Sequence, residues 1–89
     1  MKACADLDED LRPACTEVEV TGDALLANGR RVVSLSDVRR AYVEPGINVS
    51  KLVIETKDGR YLEAFYFTRP HEEEFRRVAE LINKGVGQG

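Results

Sequence analysis

The stretch from Lys51 to Thr68 constrains the fold more than any other part of this chain. Lys51 to Thr56 (KLVIET) and Tyr61 to Thr68 (YLEAFYFT) are rich in β-branched and aromatic residues, and Lys57-Asp58-Gly59-Arg60 lies between them. An Asp-Gly pair accepts the positive φ angles of a tight turn, so the two runs are expected as an antiparallel hairpin. A hairpin alone cannot bury its apolar face, so the rest of the chain has to supply partner strands or a helix. The preceding residues have the same two-residue period. Glu17 to Val20 alternates polar and apolar residues, Thr21-Gly22-Asp23 turns, and Ala24 to Ala27 leads to a second turn signal at Asn28-Gly29. Arg31 to Leu35 returns, Ser36-Asp37 interrupts, Val38 to Glu44 resumes, and Pro45-Gly46 turns the chain again.

After Thr68 the period changes to that of a helix. Thr68 is placed to cap a helix opening at Arg69-Pro70, where proline is tolerated, and Glu72, Glu73 and Glu74 suit the positive end of the helix dipole. Phe75, Val78, Ala79, Leu81 and Ile82 form one apolar stripe, and Lys84 and Gly85 are expected to end the helix. The expected fold is therefore mainly β (α+β): a bent antiparallel meander of six to seven strands closed by one C-terminal amphipathic helix. Residues 1–15 are expected as a flexible acidic arm, 16–84 as a single domain and 85–89 as a disordered tail.

In the strand from Tyr61 to Phe67, simple alternation puts Tyr61, Phe65 and Phe67 on one side and Leu62, Ala64 and Tyr66 on the other. Both sides are apolar, whereas one face of a meander normally meets water. Leu62, Ala64 and Tyr66 are thus a candidate interface, covered by the helix or by another protein molecule.

With 43% hydrophobic and 33% charged residues, the chain is neither a disordered polyelectrolyte nor a bundle of membrane spans. No apolar run approaches the roughly 20 residues that cross a bilayer, and MKACADLDEDLRP has no signal-peptide core, so a cytoplasmic protein is expected. Charge is unevenly spread. Residues 1–24 set Lys2 and Arg12 against seven carboxylates, whereas residues 25–69 hold eight Lys or Arg against five. The basic middle suggests a candidate anion-binding patch of Arg30, Arg31, Arg39, Arg40, Lys57 and Arg60, suited to anionic lipid or nucleic acid. Because neighbours on a strand point to opposite faces, only one of Arg39 and Arg40 is expected to join it. Tyr42 and Tyr66 could stack on bases, but core or interface roles explain them more simply. The acidic start could also fold back over the basic middle as an internal mimic of an acidic ligand.

The pattern of short strands, then Leu35-Ser36-Asp37-Val38 as a corner between strands, then LVIETKDGRYLEAFYF leading into a helix, resembles a small pleckstrin-homology-like (PH-like) domain of the compact bacterial and archaeal kind. The resemblance covers roughly residues 16–84. It implies a strongly bent sheet closed into a partial barrel, a helix plugging one end, and a non-enzymatic scaffold for proteins, peptides or lipid headgroups. Members that bind phosphoinositides carry basic residues in and after the first hairpin loop. Here Thr21-Gly22-Asp23 is short and acidic, which argues against that ligand.

Catalytic chemistry is sparse. The lone His71 lies at the helix start, where a capping or solvent-facing role is expected, and Ser34, Ser36 and Ser50 lack the context of a nucleophile elbow. There is no glycine-rich phosphate loop, and Glu17 and Glu19 read as the outward face of a strand. No enzyme activity, metal or cofactor is expected. Cys4 and Cys15 are spaced wrongly for a zinc knuckle. Free thiols are the first expectation in a cytoplasmic chain, and a disulfide between them is the alternative. That alternative gains from a composition with one Met, one Gln and many Arg and Glu, which leans toward a thermophile. The expected role is a protein-interaction module that recognises a peptide or subunit, including a second copy of itself, through a strand edge or the groove beside the helix. Anionic-surface binding is the alternative.

Overall fold

A computed structural model describes residues 2–87. Seven antiparallel strands form one sheet: β1 (Lys2–Leu7), β2 (Pro13–Val20), β3 (Ala24–Ala27), β4 (Arg30–Ser34), β5 (Val38–Glu44), β6 (Ser50–Thr56) and β7 (Tyr61–Phe67). A single α-helix, α1 (Glu72–Gly87), follows. The spatial order is β4-β3-β2-β1-β7-β6-β5, so two meanders meet where β1 lies beside β7. The expected mainly-β architecture with one C-terminal helix is present, but the sheet stays open, with β4 and β5 as its two ends.

The expected acidic arm is structured instead. Residues 2–7 form β1, and residues 13–15 begin β2. The turn between them is organised by Asp8, whose Oδ1 accepts hydrogen bonds from the N–H groups of Asp10 and Arg12 at 2.9 Å. An aspartate that bonds the backbone ahead of it nucleates a turn, and Leu11 completes this one with φ of 61°. Ala3 and Ala5 then face the core while Cys4 and Asp6 point away. Cys4 and Cys15 are joined by a disulfide across β1 and β2, so the expectation of free thiols does not hold in this structure. The Asn28-Gly29 turn follows its sequence signal, with φ of 51° and 81°. Asn28 adds a tie of its own, accepting the Glu17 N–H on Oδ1 at 2.8 Å.

One core joins the two meanders. Val18, Leu25 and Val33 from the first pack with Leu52, Ile54, Phe65 and Phe67 from the second, and with Phe75, Val78, Ala79 and Ile82 of α1. These helical residues recur at one turn's spacing and are buried, whereas Leu81 falls outside their stripe and is 39% exposed. Phe75 stacks on Phe67 with ring centroids 4.1 Å apart and lies 6.3 Å from Phe65. The chain enters α1 through a 3-10 turn at Arg69–His71. Thr68 does not cap it: its hydroxyl and N–H both donate to Asp6 on β1, which ties the helix entry to the first strand.

The helix runs past Lys84 to Gly87, and the expected tail at residues 88–89 lies outside the described residues. Gly85 suits this path, since a Cβ there would sit 3.1 Å from Leu35 Cδ1. Asn83 does more for the sheet. Its Oδ1 accepts the Ala41 N–H at 2.8 Å and its Nδ2 donates to the Ala41 carbonyl at 2.9 Å. That pair substitutes for a missing neighbour strand at the edge of β5, so the groove beside the helix is already occupied there.

Candidate functional site

The sheet fails to close between its two meanders. Among the described residues, β1 pairs with β7 only at Leu7↔Tyr66, and no strand is paired with that side of β7 from Tyr61 to Phe65. The first meander curls so that β4 faces this unpaired stretch across a cleft of about 640 Å³, lined by Arg31, Val32, Asp37, Lys57, Asp58, Arg60 and Leu62 among others. A second cleft of about 500 Å³ adjoins it at Val32 and continues past Ala27, Ala64 and Tyr66 to Asp8, Glu9 and Asp10. Val32 is presented to both because β4 carries one extra residue there against Leu25 and Leu26 of β3.

Two further bulges decide which side chains meet. In β7 the register shifts between Leu52↔Phe65 and Val53↔Glu63, so Ala64 is the extra residue and the alternation changes phase. Leu62 therefore lies on the same side as Phe65 and Phe67, paired with buried Ile54, and Leu62 and Ala64 pack against the core. The expected common face of Leu62, Ala64 and Tyr66 is thus split. Tyr66 lies on the outer face, opposite Lys51, and its hydroxyl donates to Glu63 at 3.0 Å. In β5 the shift between Val38 and Arg40 does the same for Arg39. Both arginines consequently reach the buried carboxylate of Glu55, contrary to the expectation that neighbours diverge. Arg40 also lies 5.0 Å above the ring of Tyr42.

The six cations of the expected patch are accordingly divided. Arg31, Lys57 and Arg60 line one cleft, Arg39 and Arg40 sit with Glu55 on the outer face, and Arg30 starts β4 without lining the cleft. Arg31 is near Asp23 at 3.7 Å and Arg60 near Asp58 at 2.9 Å, while Lys57 has no ion pair among the described residues. The turn that holds Lys57 and Arg60 is fixed through Thr56, whose hydroxyl donates to Asp58 and accepts the Arg60 N–H. It is also tied to the corner before β5 by the Lys57 N–H bonding the Asp37 carbonyl at 2.9 Å. The hydrogen bond from Thr56, aided by Arg60, holds the Asp58 carboxyl below its ordinary value.

At the opposite end, Asp8, Glu9 and Asp10 make no ion pair among the described residues, so of the acidic start only Asp23 meets a cation of the basic middle, Arg31. This acidic turn, Ala27 and Val32 belong to the cleft and went unrecognised in the sequence. The usable signal was the Asp8 side chain, which can bond the backbone ahead of it and so turn a chain between two strands.

The one histidine lies between two carboxylates rather than in solvent. His71 Nε2 is 3.8 Å from Asp6 Oδ2, and Nδ1 is 3.7 Å from Glu74 Oε2. Burial pushes the Asp6 carboxyl up, but the hydrogen bonds from the Thr68 hydroxyl and N–H, together with His71, outweigh it and leave Asp6 below its ordinary value. A carboxyl lowered on folding stabilises the native state above its unfolded value and loses that contribution as pH falls through its folded value. Unfolding of Asp6→Asn, followed by urea titration, is therefore expected to lose part of the acid-side decline that the parent shows below about pH 4. Identical slopes would show that Asp6 carries no folding-linked proton.

Among the described residues, no group of three or more His, Cys, Asp or Glu is arranged to hold a metal ion, and no helix is long and apolar enough to cross a membrane. No family model matches the chain, and no curated protein or solved structure matches it either.

Proposed function

We propose that this chain is a non-enzymatic protein-interaction module on a PH-like scaffold, and that it takes an extended segment of its partner into the cleft between β4 and β7. The single observation that carries the reading is the unpaired side of β7 from Tyr61 to Phe65, recessed beside half-buried Leu62 and Ala64. An extended peptide adding to such a strand gains main-chain hydrogen bonds and pockets for alternate side chains. The two outer edges are less available. β5 is met by Asn83, and β4 is short, bulged at Val32 and headed by two arginines, devices that discourage edge pairing. Seven antiparallel strands followed by one helix are the element order that the PH-like reading implies, while the sheet stays open instead of closing into a partial barrel. With β1 present, the first hairpin loop is Asp8 to Arg12, more acidic than Thr21-Gly22-Asp23, which counts further against an inositol phosphate.

The test selects displayed random octapeptides on the parent and on Leu62→Asp, which places a carboxylate in the cleft. Peptides enriched on the parent alone, shifting the backbone amides of residues 30–34 and 61–66 in an NMR titration, are the expected result. No enrichment over the variant would overturn the reading. The convergence of Arg31, Lys57 and Arg60 supports a second reading, binding of an anionic surface. It requires that anionic bicelles or a short DNA duplex shift the amides near these residues at low ionic strength, with affinity collapsing as salt is added.

A further inference from the structure

The cleft has a direction, and that direction assigns the chemistry of what it binds. Resting on the docking reading above, we infer that the occupant is an extended peptide that is basic at its N-terminal end and acidic at its C-terminal end, with apolar residues between. The acidic turn Asp8-Glu9-Asp10 stands at the end of the cleft beside Tyr66, and Arg31, Lys57 and Arg60 stand at the other, beside Leu62, where they outnumber Asp37 and Asp58. Ala27, Val32, Leu62 and Ala64 supply the apolar part of the lining, beside Thr16 and Ser34. The two charged ends do not cancel each other: Arg31 and Arg60 pair with Asp23 and Asp58 on their own side, and among the described residues neither the acidic turn nor Lys57 makes an ion pair.

Strand direction follows from the neighbours. β1 runs antiparallel to β7 and meets it at Leu7↔Tyr66, then turns away at Asp8. A docked strand continues the line that β1 abandons, in a sheet whose pairings are all antiparallel. Its first residues then lie at the acidic turn and its last residues at Lys57 and Arg60. Parallel docking would reverse the charges and place like against like. From Tyr61 to Phe65 the unpaired side accommodates about five residues at roughly 3.3 Å each, which sets the spacing between the charged ends.

Two synthetic peptides of identical composition isolate this claim: acetyl-Lys-Lys-Thr-Val-Thr-Val-Thr-Glu-Glu-amide and its charge-reversed counterpart with glutamates first and lysines last. In NMR titrations at low salt, the lysine-first peptide is expected to bind about tenfold more tightly, with the difference shrinking at 0.5 M salt. The double variant Glu9→Lys/Asp10→Lys is expected to abolish or invert that preference. Asp8 is left alone because it holds the turn. Equal affinities of the two peptides at residues 30–34 and 61–66 would overturn the polarity while leaving docking in place. Failure of both peptides, together with no enriched octapeptide, would overturn the docking reading beneath it. A preference that persists unchanged in the double variant would overturn the assignment of the acidic turn.

Discussion

Phe75→Ala is expected to cost about 3–5 kcal/mol, a large share of what holds an 89-residue chain folded. Phe75 is fully buried, stacks on Phe67 at an interplanar angle of 7°, and leans against Phe65. The substitution empties the space between the helix and the second meander, and an aromatic pair adds about 0.5–1.5 kcal/mol beyond the area it buries. Domains of this size have roughly 0.05–0.15 kcal/mol of stability per residue, so the variant should sit near the limit of folding at room temperature. Leu81→Ala supplies the contrast on the same helix. Leu81 is 39% exposed, and its truncation should cost less than about 1 kcal/mol. Urea midpoints of the two variants check both statements, and equal losses would mean that α1 packs on the sheet by a different face.

Removing the Cys4–Cys15 link should be the second large effect. The bridge closes a loop with a sequence separation of 11, and loop entropy assigns it about 3 kcal/mol. For a domain of this length that corresponds to a fall in Tm on the order of 10–20 °C, read by calorimetry with and without reductant or in Cys4→Ser/Cys15→Ser. The loss should concentrate in β1. That strand meets β7 at one register pair and is otherwise held by β2 and by the Asp6 tie to Thr68, so its amide protons should be among the first to exchange. An unchanged Tm in reductant, or two titratable thiols in the untreated native protein, would show that the strands hold without the link.

The hairpin from Lys51 to Phe67, the Asn28-Gly29 turn and the helical stripe were legible because each rests on local chemistry that one short window contains. What was missed depends on register between strands. One extra residue at Arg39 and one at Ala64 reverse the side on which later side chains emerge, and nothing in VRRAYVE or YLEAFYF marks that residue. Two readings failed together for this reason: the separation of Arg39 from Arg40, and the common face of Leu62, Ala64 and Tyr66. β1 was overlooked because its inward residues include Ala3 and Ala5, too small to raise an apolar signal against four nearby carboxylates at Asp6, Asp8, Glu9 and Asp10. The cleft joins β4, at one end of the sheet, to β7 in its interior, four places away in the strand order, so its existence depends on the curl of the first meander and not on any motif.

The amide of Asn83 that covers the edge at Ala41 has a consequence for the chain while it is being made. Asn83 follows Ala41 by 42 residues, so β5 is synthesised well before the side chain that satisfies its outer backbone groups. At about 5–20 residues per second, an emerging chain presents an uncovered strand edge for several seconds. Its apolar partner β6 can be present in that interval, but the helix cannot. Nascent chains stalled before residue 83 should therefore cross-pair or recruit chaperones, whereas the finished protein, with its last helix in place, should not.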